Sequence, residues 1–471
     1  MLPTRAALAG ACFNLFNTIL GGGGGMVPLP HCVRLAGLRL APVLLVLCAA
    51  LSAYSACAII AASCNVHEQT YQGVARRTIG ERGAAATQGL IVCLTFGISV
   101  AVIDIFADVA PSVLGLPRTI TVILAGCAVT PIVALVRRIE RLAIISIIAS
   151  SLAVAFVGFV YLHHWTRDAA LAEAGAGSDG IGDALPSPQG SLASLLEAVS
   201  VINLSFLCHF NCLPLFHALP GAPSVPARDG MYRVIGVSTL LALVVYASVG
   251  ILGYIAFGEH TNGNAFASFA QTGTVGRVLN NALAAAQLAS LPLLVHEGVR
   301  ELVSLLSAAG LLDERRGVVS AAGEEQSRLI QGNCTVSGQA GGSRGGGGVG
   351  GGGIGGGGVG GGGGLARVDS DGELRKAASR PATNHMRSER LCGVLWCAMA
   401  TCIAVFAADT SRVLALVAAL CGAPLMSVLP VLMLLRSEHG LAPGAVKLNC
   451  VLLAVGIAVT AASAVNAVTV A

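Results

Sequence analysis

Eleven apolar stretches, most of them about twenty residues long, alternate with shorter polar connections along the chain. They run over Ala6–Gly37, Ala41–Ala62, Ala85–Ala107, Thr119–Val136, Leu142–Leu162, Leu192–Leu215, Val234–Phe257, Val278–Leu306, Leu391–Ala407, Val413–Leu435 and Ala445–Val468. About 20 apolar residues in a helix cross the hydrocarbon core of a bilayer, so each stretch is predicted to be one transmembrane helix. Their apolar residues lie on all sides rather than on one stripe, as in helices packed within a membrane bundle. The predicted fold is all-α, with eleven crossings.

The first stretch contains an anomaly: Gly21-Gly22-Gly23-Gly24-Gly25 sits between Ala6–Leu20 and Met26–Gly37. Each glycine costs about 1 kcal/mol of helix stability relative to alanine. Irregular backbone inside a membrane survives only where protein covers it or where it lines a cavity. The run therefore reads as a break in the first helix, with Pro28 near the start of a second half. The alternative is a flexible loop between two short apolar stretches.

Two connections are long. Arg167–Ser191 is small, acidic and contains glycine and proline. Ala308–Glu389 includes 345–364, where only Val349, Ile354 and Val359 interrupt glycine. Such a segment buries too little apolar surface to offset its ordering entropy, so 308–389 is predicted to be disordered. The expected organisation is one transport unit: spans one to eight over 1–307, an inserted Gly-rich loop over 308–389, and spans nine to eleven over 390–471. A phosphate-cradling role for these glycines is not supported, because no strand precedes them and no GKS or GKT follows.

Composition strengthens the membrane reading. Of the 471 residues, 55% are hydrophobic and 11% charged, against about 25% charged in soluble domains. The bilayer is thus an expected partner. The net charge of +4 is dispersed, and no basic patch interleaved with aromatics points to nucleic acid. The apolar N-terminus runs through to Leu38 without an obvious cleavage site, so it is kept as a span rather than a signal peptide. Almost no tail precedes it, so a regulatory segment ahead of it is either absent or cut from the chain. Lys and Arg favour the side holding the N-terminus by 22 to 6, and by 11 to 6 once the region from Arg300 to Arg390 is set aside. The N-terminus is therefore placed in the cytosol. With eleven spans, the C-terminus lies outside or in a lumen. Loop 308–389 then lies in the cytosol, so the sequon at Asn333 is expected to stay bare.

The candidate chemistry gathers at two places. In the first span, carbonyls of Thr18–Gly21, including that of Leu20, can face a cation, with the Asn17 side chain beside them. The N–H groups of Gly22, Gly23, Gly24, Gly25 and Met26 can receive a carboxylate at the positive end of the second half-helix. Asn17 has an alternative role, an interhelical hydrogen bond that only holds the bundle. The sixth span reads Phe206-Leu-Cys208-His209-Phe-Asn211-Cys212-Leu-Pro214. Pro214 frees the carbonyl of Phe210 and suggests a second irregularity. His209 could relay a proton or orient neighbouring backbone, or be a neutral core histidine. Cys208 and Cys212, one turn apart beside His209, could hold a metal, but the fifteen cysteines show no CxxC pair and are preferred as small buried hydrophobes. No metal site or cofactor is expected. Asp104 and Asp108 in the third span are ion-path candidates, with solvated acids preferred. No nucleophile–base–acid set appears, which argues against an enzyme.

These residues also carry a resemblance. Asn17-Thr-Ile-Leu-Gly21-Gly-Gly23, Pro28 and Ala36-Gly-Leu38 resemble the first-helix pattern of the amino acid/auxin permease family. That family includes the sodium-coupled neutral amino acid transporters and the vacuolar amino acid transporters. Phe206–Pro214, Gly253–Gly258 with Gly263-Asn264, Ala407-Ala-Asp409, Gly422 and Leu429-Pro430 are similar to its later motifs, in order. Gly24 and Gly25 depart from the family, which has aliphatic residues there. The resemblance implies a five-plus-five inverted repeat with broken first and sixth helices and an added eleventh span. It implies amino acid transport by alternating access, coupled to Na⁺ or H⁺, at a plasma or vacuolar/lysosomal membrane. It implicates Asn17 in a cation site together with a hydroxyl of the eighth span, whose nearest match is Ser290, with Gln287 nearby.

The reading is a secondary active amino acid transporter. The substrate carboxylate would meet Gly22–Met26. Its ammonium would meet carbonyls near Asn17–Leu20 and around Phe206–His209. Substrate-binding candidates are Thr18, Gly21, Gly22, Gly23, Gly24, Met26, Phe206 and His209; cation-binding candidates are Asn17, Leu20 and Ser290. The alternative is a non-transporting amino acid sensor that signals through the cytosolic loop.

Overall fold

A computed structural model of the chain describes residues 3–21, 25–135, 143–173, 191–311, 370–407, 409–437 and 443–470. Regular structure among these residues is helical throughout. The first span is two helices, α1 (Arg5–Gly21) and α2 (Leu29–Ala36). Then follow α3 (Ala41–Val66), α4 (Tyr71–Val109), α5 (Arg118–Leu135) and α6 (Ala143–Glu173). The sixth span is again two helices, α7 (Leu192–Ser205) and α8 (His209–His217). The rest are α9 (Val225–Phe257), a short α10 (Ala265–Ala270), α11 (Thr274–Ala308), α12 (Ser370–Phe406), α13 (Thr410–Ser437) and α14 (Pro443–Val470).

Nine helices among the described residues are long and apolar enough to cross a membrane. The shorter apolar helix Arg118–Ala134 and the divided first span complete the eleven expected crossings. Large apolar side chains such as Leu47, Leu240, Val244 and Val455 are exposed on the bundle's flanks, where a bilayer would cover them.

The first interruption arises where helix propensity fails. α1 ends at Gly21, and α2 begins after Pro28, with Pro30 in its first turn, where a proline lacks no hydrogen bond. α7 ends at Ser205, and α8 restarts at His209. Four crossings, α3 to α6, lie between the two divided spans, so these run in opposite directions. Their packing agrees: α1 touches α8, while α2 packs against α7. This is the arrangement expected of a five-plus-five repeat with broken first and sixth helices. On the α2–α7 side, His31 Nε2 lies 3.7 Å from Glu197 Oε1.

Tyr246 on α9 joins the two breaks. Its hydroxyl lies 2.8 Å from the carbonyl oxygen of Ile19 and 2.9 Å from that of Ser205, and its one proton is shared between them. Its ring meets Phe206 edge to face at 5.1 Å. This contact explains Gly25, one of the two glycines that depart from the family pattern. A Cβ on Gly25 would stand 2.5 Å from the Tyr246 hydroxyl and 3.1 Å from the Ser205 carbonyl. Gly253 on α9 likewise lets α2 approach, since a Cβ there would meet Pro30 at 2.7 Å.

Three features differ from the sequence reading. α12 begins at Ser370, so the last part of the segment predicted as a disordered loop to residue 389 is helical. The reason is that 370–389 lacks the glycine run and carries helix formers such as Glu373, Leu374, Lys376 and Ala377. Residues 312–369, with the 345–364 glycines and the Asn333 sequon, lie outside the described residues. Next, α4 reaches back to Tyr71, with a non-helical Gly80 (φ 81°) inside it. Third, α13 contains two π-helical stretches, Ala418–Gly422 and Pro424–Val428. The Leu425 carbonyl there accepts a hydrogen bond from the Tyr71 hydroxyl at 2.7 Å.

Candidate functional site

A cavity of about 290 Å³ opens beside the break in the first span. From α1 it is lined by Asn17, Thr18, Leu20 and Gly21, and beyond the break by Met26. α4 and α6 contribute Val102, Ala149, Ser150 and Ala153, and α8 contributes Phe210 and Asn211. α11 forms the remaining wall from Leu283 through Gln287, Ser290 and Leu294 to Glu297 and Arg300. The cavity thus extends from the break toward the side that holds the N-terminus of α1 and the C-terminus of α11.

Six of the predicted site residues line this one space: Asn17, Thr18, Leu20, Gly21, Met26 and Ser290. Among the described residues, no atom lies within 4 Å of where a Cβ on Gly21 would sit, and Gly21 lines the cavity. Gly22, Gly23 and Gly24 lie outside the described residues.

Phe206 and His209 are placed elsewhere, which corrects their expected position. Phe206 is buried against Tyr246, and its carbonyl accepts the Ser52 hydroxyl at 2.9 Å. His209 is buried too, with Nε2 2.7 Å from Ser55 Oγ on α3. The physical reason is helical phase. The restart at His209 turns its side chain toward α3 and brings Phe210 and Asn211 to the cavity instead. Cys208 and Cys212 are both buried, with their sulfurs 3.8 Å apart.

The polar groups of the cavity wall hold one another. The Ser150 hydroxyl donates to Asn17 Oδ1, joining α6 to α1. Thr18 Oγ1 donates to the Asn14 carbonyl at 3.0 Å, and Asn211 Nδ2 stands 3.5 Å from Thr18 Oγ1. Ser290 Oγ donates to the Gln287 carbonyl at 2.7 Å, which leaves its lone pairs for a donor or a cation. At the mouth, Arg300 Nη2 donates to Glu297 Oε2 at 3.0 Å, one helical turn apart. Sequence reasoning missed Ser150, Asn211, Glu297 and Arg300. A polar residue in an apolar stretch is the signal that could have found them.

The opposite side of the break is closed. The Val27 carbonyl accepts from the Ala265 N–H at 3.0 Å, and Arg34 Nη1 donates to the Glu259 carbonyl at 2.9 Å. Phe156 stacks edge to face on Phe266 and Phe269, with centroids 5.2 and 5.4 Å away.

Asp104 and Asp108 belong to this closed side, and the structure overturns the preference for solvated acids. Asp104 is fully buried and pairs with Arg118, which also donates to Asp108 Oδ1 at 3.0 Å. Thr410 Oγ1 lies 3.2 Å from Asp104 Oδ2 and 3.0 Å from Asp108 Oδ2. Asn264 Nδ2 donates to Asp108 Oδ2 at 3.2 Å, while its Oδ1 caps α10. A buried carboxylate needs such pairing, because desolvation alone would cost several kcal/mol. The cluster locks α4, α5, α13 and the segment before α10 together.

The model of the family described as transmembrane amino acid transporter protein matches residues 5–468. Amino acid transporter AVT6E of Arabidopsis thaliana is 26% identical over 281 residues, covering 56% of this chain and 55% of that protein. Amino acid transporter AVT6C of the same plant is 27% identical over 298 residues, covering 59% and 65%. Putative sodium-coupled neutral amino acid transporter 11 of Bos taurus is 24% identical over 274 residues, covering 55% of each. The chain thus spans between about half and two thirds of the length of these relatives. With a family match from the first span to the last, the chain is a multi-pass integral membrane protein and a member of the transmembrane amino acid transporter family.

Proposed function

We propose that the chain is a secondary active amino acid transporter, coupled to Na⁺ or H⁺ and working by alternating access. The observation that carries this is the cavity beside the broken first helix, closed on one side and extended toward the other. Broken helices place half-helix N–H groups and unwound carbonyls at one depth in the bilayer, where they can receive a zwitterion and a cation without charged side chains. The transport unit comprises spans one to eight and nine to eleven, with the chain between them as an insertion.

In this reading the substrate carboxylate is received by N–H groups of Gly22–Met26. Thr18 and Gly21 flank it, and Asn211 faces it from the sixth span. The cation takes the Asn17 side chain, the Leu20 carbonyl and the Ser290 hydroxyl, all on the cavity wall. The sodium-coupled relative supports a cation of this kind. With the N-terminus in the cytosol, the cavity faces the cytosol. No observation among the described residues favours the sensor alternative.

The experiment is uptake into proteoliposomes across a panel of amino acids, with Asn17→Ala beside the wild type. Asn17→Ala should weaken the apparent cation affinity by about tenfold or more, the loss expected for one charge-assisted contact. Unchanged cation dependence would remove Asn17 from the site.

A further inference from the structure

Among the described residues that line the cavity, one buried side-chain acceptor has no hydrogen-bond partner. Gln287 lines it, and its side chain is 6% exposed. Its Oε1 is buried and has no hydrogen-bond partner among the described residues. Apolar residues such as Leu283, Leu291 and Val102 line the same cavity. Buried polar groups in native structures are nearly always paired, so an orphan on a cavity wall asks for a ligand.

Several other acceptors near the break already have a donor. The Tyr246 hydroxyl occupies the Ile19 and Ser205 carbonyls, and Ser52 occupies that of Phe206. Asn17 Oδ1 receives Ser150, and Glu297 Oε2 receives Arg300. A substrate ammonium brings three N–H donors into this space and needs oxygen to meet them.

We propose that Gln287 Oε1 receives the α-ammonium of the substrate, so that the amine is bound by a side chain of the eighth span and not only by backbone carbonyls at the breaks. This rests on the transporter reading above. The carboxylate then lies toward the first-span break and the amine toward α11. The bound amino acid spans the cavity, and the amide distinguishes a primary ammonium from one whose protons are replaced by methyl groups.

The test is binding to the purified full-length chain. The common L-amino acids are screened by thermal stabilisation, and the tightest binder is compared with its N,N,N-trimethyl derivative. The wild type should prefer the primary amine by about tenfold or more, the range for a hydrogen bond to a charged group. Gln287→Leu should lower that preference by about tenfold, the part that the hydrogen bond to the ammonium supplies. Gln287→Glu, which keeps the size and adds charge, should preserve or increase it, and serves if the leucine variant misfolds. An unchanged preference in Gln287→Leu, or a change confined to the Na⁺ or H⁺ dependence of uptake, would overturn the assignment while leaving the transporter reading intact. Absence of any amino acid binding by the wild type would overturn both.

Discussion

Tyr246 shows how one residue can hold a membrane break in shape. Unwound backbone in a bilayer leaves carbonyls without partners, and one phenol answers for a carbonyl from each break. Gly25 is its counterpart, because only a residue without Cβ fits against that hydroxyl. Tyr246→Phe should cost about 1–3 kcal/mol of stability, the value for leaving buried acceptors unpaired, and should lower uptake. Gly25→Ala should be damaging alone, since its Cβ would press on the hydroxyl. Combined with Tyr246→Phe it should be less damaging than the sum of the two, because the nearest clashing atom is gone. Thermal melting of the four proteins checks this; simple additivity would mean that the contact does not couple. The tyrosine was not legible in the sequence. Nothing in an apolar stretch marks which of its polar side chains reaches a carbonyl on another span. The glycines were legible, because their backbone cost is local.

At the scale of the elements, helix identity could be read from length and apolar content, whereas helix orientation could not. α11 carries Asn280, Asn281 and Gln287, yet only Gln287 reaches the cavity. Asn280 is buried on its own helix, donating to the Gly276 carbonyl, and Asn281 meets Ser112 at the exposed end. An all-round apolar helix gives no stripe from which to choose among them. The acidic cluster shows the same limit: Asp104 reads as a solvated acid until Arg118 from the next helix is seen on it. Its asymmetry gives a prediction. Arg118 is partly exposed, whereas Asp104 is buried. Arg118→Leu leaves a buried carboxylate uncompensated and should cost about 3–5 kcal/mol. Asp104→Asn leaves a cation that water can reach and should cost less. Melting temperatures in the reverse order would contradict this account of the cluster.

For the whole molecule, eleven crossings and the break at the glycine run were legible from the chain itself, because a bilayer permits few alternatives, while the broken sixth helix came with the family resemblance. What the breaks enclose was legible only in part. Asn17, Thr18, Leu20, Gly21 and Met26 of the first span line the cavity, Gly22, Gly23 and Gly24 lie outside the described residues, and the sixth span brings Phe210 and Asn211 to it rather than Phe206 and His209. The central claim is that an amino acid is driven by a cation gradient through the cavity beside Gly21. Gly21→Trp tests the route, since Gly21 lines the cavity and a Cβ there meets no described atom within 4 Å, so the indole is placed to block the space. The direct measurement is accumulation of labelled amino acid in proteoliposomes under an imposed Na⁺ or H⁺ gradient. The wild type should concentrate at least one amino acid above its external level and lose it when the gradient collapses, while Gly21→Trp should insert normally and accumulate none. Equal accumulation by the two proteins, or none by the wild type under either gradient, would contradict the account.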